Sequence, residues 1–143
     1  MANMMWNKYG EGSPSHQSEM KRSDSILKGF AELIGQHIMA EPSLDFYAEQ
    51  LCISKQYLSL IIKEKTRVTA GRILATMRTE TASRLLRNPE LTIQQIAGMM
   101  SFADQSSFGK FFKKHTGSSP MKYRQTLRKT LLTLRPGELD IKQ

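Results

Sequence analysis

Apolar residues recur along most of the chain at the spacing of amphipathic helices. In the segment that starts at Ser25, the residues on one face are Ile26, Phe30, Leu33, Ile34 and Ile38. Similar patterns follow in SLDFYAEQL from Ser43, SKQYLSLIIKEK from Ser54, TAGRILATMRTETASRLLRN from Thr69, TIQQIAGMM from Thr92, SSFGKFFKKHTG from Ser106 and SPMKYRQTLRK from Ser119. No segment shows convincing strand alternation. The pattern predicts an all-α domain of about seven helices with short connections.

The expected helix starts are marked by capping residues. Ser54 and Asp104 stand at N-cap positions, where a side-chain oxygen accepts a hydrogen bond from a free backbone N–H. Thr92 is followed three residues later by Gln95, the spacing of a capping box. Ser119 precedes a proline, which favours a helix start at that point.

A two-helix pattern occurs twice in the sequence. Leu44, Tyr47, Ala48, Leu51 and Ile53 recur 49 residues later as Ile93, Ile96, Ala97, Met100 and Phe102. After one inserted residue, Ser54, Leu58, Ile61, Ile62 and Lys63 recur 50 residues later as Asp104, Phe108, Phe111, Phe112 and Lys113. The chain is therefore predicted to form a two-helix unit, a long linking helix and a second two-helix unit.

The second helix of each unit has a large apolar face and an opposite polar face. At 100° per residue, Phe108, Phe111 and Phe112 fall within about 100°, the width of a face that packs on a core. Lys110 and Lys113 lie on the other side. The first unit repeats this arrangement with aliphatic anchors. A firmly anchored helix with a protruding face is the helix-turn-helix geometry that fills a major groove of DNA.

The linking helix sets the expected distance between the two protruding helices. About 19 residues at 1.5 Å each span roughly 28 Å. With the helix radii added, the two protruding helices are expected to be near one turn of DNA, ~34 Å, apart. That spacing would let one chain contact two successive major grooves on one side of the duplex.

The charge balance favours an anionic partner. The 143 residues contain 21 Lys+Arg and 13 Asp+Glu, a net charge of +8 with a pI of about 9.8. Nucleic acid and a membrane surface both attract such a protein. A membrane-surface role favours one basic amphipathic helix with exposed aromatics, whereas the aromatic face here is needed for the core. No apolar run approaches the ~18 residues of a membrane span, so no membrane partner is expected.

The sequence offers little for catalysis or for a bound cofactor. Cys52 is the single cysteine, so an intrachain disulfide and a cysteine-rich zinc site are both excluded. The three histidines are far apart, and no Ser/His/Asp, paired-carboxylate or Gly-rich phosphate motif stands out. No metal, no cofactor and no enzymatic activity are expected. Because the N-terminus lacks a signal-peptide pattern, a reducing, cytoplasmic setting is expected.

The segment TIQQIAGMMSFADQSSFGKFFKKHTGSSPMKYR, from Thr92 to Arg124, closely resembles the C-terminal signature of the AraC/XylS family of bacterial transcription regulators. The resemblance covers about residues 25–130. It implies sequence-specific binding to double-stranded promoter DNA, usually with activation through contact with RNA polymerase. Most relatives also have an N-terminal effector-binding or dimerising domain, which 143 residues cannot include. The resemblance therefore implies either a stand-alone member or the DNA-binding part of a longer effector-responsive activator.

Four positions depart from residues that are common in the family. Relatives often have glycine at the turn of each unit and after the first recognition helix, where this sequence has Cys52, Ser101 and Arg67. If the left-handed conformation is kept, Cys52 and Ser101 would cost about 1 kcal/mol. Leu60 stands where many relatives have a polar or basic residue, which puts base contacts by the first unit in question.

The outward faces supply the candidate DNA contacts. The candidates for base contacts are Gln56, Ser59, Leu60, Gln105, Ser106 and Lys110. The candidates for phosphate contacts are Lys55, Tyr57, Lys63, Ser107, Lys113 and Lys114. Lysine donates to guanine, glutamine pairs with adenine, and an apolar side chain contacts a thymine methyl. Phosphate contacts position the protein without distinguishing sequences. The alternative for each of these residues is a solvent-exposed position on the helix without a contact to DNA.

The predicted organisation has three parts. Residues 1–24 are expected to be a flexible tail or linker, 25–131 the DNA-binding domain and 132–143 a second tail. Within the domain, the helix-turn-helix units are expected at about 43–65 and 92–116, the linking helix at 69–88 and the last helix at 119–130. Tyr123 is expected to pack on Phe112, and Arg72, Arg78, Arg84 and Arg87 to be surface charges. The alternative function is a non-specific architectural DNA-binding protein.

Overall fold

Seven α-helices and no strand make up the part of the chain that the structure, a computed structural model, describes: residues 14–40 and 43–133. They are α1 (Pro14–His37), α2 (Leu44–Gln50), α3 (Lys55–Thr66), α4 (Ala70–Leu86), α5 (Ile93–Met99), α6 (Gln105–Thr116) and α7 (Pro120–Thr133). The prediction of an all-α fold with about seven helices is confirmed. None of these helices combines the length and apolarity needed to cross a bilayer.

The first helix begins at Pro14, within the stretch predicted to be a flexible tail. The residues from Ser18 to Arg22 are exposed, so they lack the apolar face by which a helix is recognised in a sequence. Their types, which include Glu, Met, Lys and Arg, still favour helix. The Asp24 carboxylate also lies 2.9 Å from the Lys65 ammonium of α3. Residues 1–13 and 134–143 of the predicted tails lie outside the described residues.

The described residues divide into two compact units. The first unit comprises residues 14–37 and 43–74, and the second comprises residues 38–40 and 75–133. The division falls within α4, between Leu74 and Ala75. Each unit contains one of the two predicted helix pairs, α2 with α3 and α5 with α6.

The core of the first unit forms where α3 packs on α1 and α2. Leu58 and Ile62 of α3 are fully buried, as the helical wheel predicts. Phe30 of α1 meets Tyr47 of α2 edge-on, with ring centroids 5.5 Å apart. Aromatic pairs prefer such edge contacts, which add to the stabilisation from burial.

The core of the second unit is built around phenylalanines of α6. The buried cluster contains Ala82, Leu86, Ile96, Ala97, Met100, Phe108 and Phe112. The rings of Phe108 and Phe112 have centroids 5.9 Å apart. Tyr123 of α7 meets Phe112 edge-on at 5.3 Å, which confirms the predicted contact. Phe111, at the margin of the apolar stripe, is only half-buried.

The turns inside the two helix pairs have the same hydrogen bonds. In each turn, two N–H groups fold back onto carbonyls at the end of the preceding helix, as in a Schellman motif. The bonds are Ile53 N–H to Ala48 O at 3.1 Å, Cys52 N–H to Glu49 O at 3.0 Å, Phe102 N–H to Ala97 O at 2.9 Å and Ser101 N–H to Gly98 O at 3.0 Å. The φ angles of Cys52, Ser101 and Arg67 are 59°, 66° and 65°, so all three non-glycine residues keep the left-handed conformation.

Replacing Cys52 or Ser101 with glycine is expected to raise the free energy of unfolding by up to about 1 kcal/mol, because glycine adopts a positive φ without a Cβ clash. Urea unfolding of the single variants measures the gain. Glu80→Gly is the control, since Glu80 is an exposed residue in the interior of α4. There glycine is expected to cost about 1 kcal/mol. A loss at the turns equal to that of the control would contradict the prediction.

Candidate nucleic-acid interface

Side-chain caps fix the first turn of both protruding helices. Ser54 Oγ accepts a hydrogen bond from the Tyr57 N–H at 3.0 Å. Asp104 Oδ1 accepts one from the Ser107 N–H at 2.7 Å. Both predicted N-caps are confirmed, as is the capping box between Thr92 and Gln95 at the start of α5. Each cap satisfies a backbone donor that a helix start leaves free.

The last turn of each protruding helix is also closed in the same way. The Thr66 hydroxyl of α3 donates to Ile62 O at 2.7 Å and accepts from the Val68 N–H at 3.1 Å. In the same way, the Thr116 hydroxyl of α6 donates to Phe112 O at 2.8 Å and accepts from the Ser118 N–H at 3.2 Å. Both helices have 12 residues. The sequence repeat therefore builds two helices of equal length with equivalent ends.

The outward face of α6 is polar and positively charged. Its predicted contact residues are all exposed: Gln105, Ser106, Ser107, Lys110, Lys113 and Lys114. The opposite face places Phe108 and Phe112 in the core with no exposed area. The helix contains three lysines and no acidic residue. Two of the lysines stand in the last turn, where the helix dipole also favours positive charge.

The outward face of α3 is less polar than that of α6. Lys55, Gln56, Tyr57, Leu60 and Lys63 are exposed, while Ser59 is half-buried. Leu60 keeps 53% of its area exposed, a large apolar surface in the middle of this face. The Lys55 ammonium lies 3.4 Å from Asp45 Oδ1 in the first turn of α2. Any phosphate that Lys55 binds would compete with this exposed carboxylate.

Asp104 is an anion at the start of a helix that otherwise presents positive charge. The hydrogen bond from the Ser107 N–H, followed by one from the Ser107 hydroxyl, lowers the pKa of Asp104 below its ordinary value of 3.8. The charge of Lys110 lowers the pKa further. The carboxylate is therefore held in its charged form as a cap.

Because the pKa of Asp104 is lower in the folded state than in the unfolded state, the cap stabilises the fold above the unfolded pKa. That contribution is lost as the pH falls below about 4 through the lowered folded pKa. Asp104→Asn keeps a capping side chain that does not titrate. We expect the stability of Asp104→Asn to fall less than that of the wild type between pH 5 and pH 2.5. Parallel pH-dependent losses in thermal melts of the two proteins would contradict this expectation.

The structure corrects the prediction for one arginine of the linking helix. Arg72, Arg84 and Arg87 are exposed as predicted, but Arg78 is buried, with 4% of its area exposed. Its guanidinium donates hydrogen bonds to two backbone carbonyls, which compensates for burial of a charged group. The sequence carried one signal for the burial of Arg78, which is its position along α4. Arg78 stands four residues before the buried Ala82, and thus on the inner face of α4.

A family model described as a helix-turn-helix domain matches residues 47–126, which include α3 to α6. The chain belongs to the AraC/XylS family. This is a family of DNA-binding transcription regulators, and the helix pairs described above are the two helix-turn-helix units of an AraC-type domain. Among the described residues of this domain, no three His, Cys, Asp or Glu side chains gather as a metal site.

Relatives of this AraC-type domain include both regulators and solved structures. The transcriptional activator RhaS of Escherichia coli O139:H28 is 32% identical over 111 residues, which cover 78% of this chain and 40% of that protein. The C-terminal domain of AraT, a response regulator from Geobacillus stearothermophilus, is 34% identical with a TM-score of 0.65, covering 71% and 84% of the two chains. The DNA-binding domain of AdpA, solved with a target DNA, has the same fold at 22% identity, with a TM-score of 0.64 and coverage of 74% and 98%. The chain spans about two fifths of the length of the curated relatives it matches.

Proposed function

We propose that this AraC-type domain binds double-stranded promoter DNA in a sequence-specific manner, with α3 and α6 each inserted into a major groove. The observation that supports the proposal best is the repeated geometry. In both units a capped helix of 12 residues buries large apolar anchors and exposes its opposite face. A net charge of +8 supplies attraction to phosphates along the duplex.

On α6, Lys110 is the first candidate for base recognition. It is exposed in the middle of the helix and directly opposite the buried Phe108 and Phe112. A lysine in mid-groove donates to guanine O6 and N7. Gln105 and Ser106, in the first turn, are further base candidates. The remaining candidates, Ser107, Lys113 and Lys114, are assigned to phosphates.

On α3, base recognition is proposed to depend on Gln56, Ser59 and Leu60. Gln56 is exposed in the first turn, where it can pair with adenine N6 and N7. The exposed Leu60 suits a thymine methyl group, which favours A·T pairs at that position. Ser59 has the weakest claim of the three because its side chain is half-buried. Lys55, Tyr57 and Lys63 are assigned to phosphates.

The proposal extends to two successive grooves and to a regulatory role. The linking helix has 17 residues, a length of about 25 Å. We propose that the two helix pairs bind successive major grooves, which are one turn of DNA, ~34 Å, apart. The relative RhaS is named a transcriptional activator, which supports a role in activating transcription. Contact with RNA polymerase and a location in the bacterial cytoplasm are further parts of the proposal and rest on the family resemblance. An effector would act through a domain other than the one described. No catalytic step is part of this function.

Selection from random duplexes, followed by sequencing, tests the proposal. The salt should be near-physiological, so that non-specific attraction to phosphates is suppressed. We expect two short enriched boxes about one helical turn apart. A single box would restrict base recognition to one unit and leave the α3 face, with Leu60, as a phosphate clamp. Absence of any enriched box would overturn sequence-specific binding and favour a non-specific architectural role.

A further inference from the structure

Arg78 joins the inner face of α4 to the turn that leads into α6. Its Nη1 donates to the carbonyl oxygen of Ile38 at 2.7 Å, and its Nη2 donates to that of Met100 at 2.8 Å. The planar guanidinium fork can direct two donors at two acceptors in a fixed geometry. Met100 is the C-cap of α5, and the next residue, Ser101, has a φ of 66°. The guanidinium therefore holds the backbone at the point where the helix-turn-helix turn begins.

The same guanidinium contacts two aromatic rings on the far side of the turn. Its Cζ lies 4.8 Å from the ring centroid of Phe102 and 5.8 Å from that of Phe111. Both distances are within the range of cation–π attraction. The two rings also contact each other, with centroids 5.3 Å apart. One side chain of α4 thus contacts the C-cap of α5, the end of the turn and α6 itself.

The contact of Arg78 with Phe111 bears on the rotation of α6 about its own axis. Phe111 follows Lys110 directly, so the two side chains are separated by about 100° around the helix. A rotation of about 20° would move an atom about 6 Å from the axis by roughly 2 Å. Binding groups must be held to about 0.5 Å to keep their geometry. A fixed partner for the half-buried Phe111 ring adds to the restraint that the buried Phe108 and Phe112 place on this rotation.

We propose that Arg78 is a positioning residue for base recognition by α6. It does not belong to the outward face; it acts through the Met100 carbonyl and the rings of Phe102 and Phe111 to fix the direction of Lys110. The inference rests on the proposed function. Its effect is expected in the second unit, because Ile38, Met100, Phe102 and Phe111, which the guanidinium contacts, all belong to that unit.

The first test uses the free protein and does not depend on DNA. Backbone amide hydrogen exchange is compared by NMR in the wild type, Arg78→Met, Arg78→Lys and the control Leu86→Ala. Leu86 belongs to the buried apolar cluster of the second unit and is not one of the partners of the guanidinium named above. We expect Arg78→Met to speed exchange of the Phe102 amide and the α6 amides at least tenfold, with α3 unchanged. Leu86→Ala is expected to raise exchange evenly across the second unit. An even increase in Arg78→Met as well would overturn the positioning role.

The second test measures discrimination between the selected duplex and duplexes with one box replaced. We expect Arg78→Met to lose at least tenfold discrimination at the box contacted by α6, and none at the other box. Its salt dependence should stay that of the wild type because the phosphate contacts remain. Arg78→Lys should recover part of the loss, since lysine keeps a donor but lacks the fork. Leu86→Ala should discriminate between the duplexes as well as the wild type does, when the two proteins are compared at an equal folded fraction.

The outcomes separate the two proposals. If the wild type discriminates but Arg78→Met loses no more discrimination than Leu86→Ala, the role of Arg78 is overturned and the proposed function stands. If the wild type discriminates at neither box, sequence-specific binding itself fails, and base positioning by Arg78 fails with it. The exchange data then still show whether Arg78 holds α6 in the free protein.

Discussion

Replacing Phe108 with alanine will lower the free energy of unfolding by about 3–5 kcal/mol, a large share of the 5–15 kcal/mol typical of whole domains. Phe108 has no exposed area, and its ring contacts those of Phe102 and Phe112. The variant loses the transfer free energy of the ring and leaves a cavity that close-packed neighbours fill only in part. Urea unfolding followed by circular dichroism measures the loss.

Phe111→Ala is the matched control for this prediction. It removes the same side chain from the same helix, but Phe111 is only half-buried. The expected loss is therefore roughly half as large, because less apolar area returns to water. Equal losses at the two positions would contradict the assignment of Phe108 to the centre of the core and Phe111 to its margin.

Replacing Lys110 with alanine will weaken binding to the selected duplex by about 1–3 kcal/mol and relax the preference at one base pair. The reason is its exposed position in the middle of α6, opposite the buried anchors. Fluorescence anisotropy with the selected duplex and its single-base variants measures both effects. Circular dichroism melts verify that the fold is kept, as expected for an exposed side chain.

Lys113→Ala is the matched comparison, because it removes the same side chain from the same helix at a different angle. If Lys113 binds phosphate, its loss will weaken binding to all sequences alike. The slope of log affinity against log salt will fall by about one unit. Identical behaviour of the two variants would show that the division between base and phosphate contacts on α6 is wrong.

Much of this fold could be predicted because its determinants are local in sequence. The spacing of Phe108 and Phe112 fixes the inner face of α6, and the polar residues then fall outside. The caps at Ser54 and Asp104 depend on side chains that bond backbone groups three residues away. The left-handed turns at Cys52 and Ser101 are indicated by the family resemblance, since relatives often have glycine at these positions. In each case the deciding interaction lies within a few residues or on one helical face.

Two features could not be predicted because their determinants are not local. Arg78 bonds carbonyls 40 and 22 residues away in sequence, so no short pattern marks them. A charged side chain also predicts a surface location, even when the residue lies on the inner face of its helix. The start of α1 was missed for another reason, since the exposed Ser18–Arg22 segment has no apolar face to give a period. The base contacts themselves stay predictions, because exposure alone does not distinguish a ligand contact from a solvated side chain.

The carbonyl of Ile38, which accepts a hydrogen bond from Arg78, has a practical consequence for dissecting or recombining this domain. A fragment cut at the start of α4 would retain the guanidinium but discard one of its acceptors, leaving a buried donor without its bond. A chimera with a crossover between residues 43 and 74 would keep a backbone carbonyl at position 38 but take it from a foreign segment, so the bond to Arg78 would depend on how that segment packs. Crossovers placed before Ile38 would transfer both groups together. Such a crossover also moves residues 43–74 of the first unit and separates α1 from α3, so no single crossover point exchanges the second unit and keeps the contacts of both units.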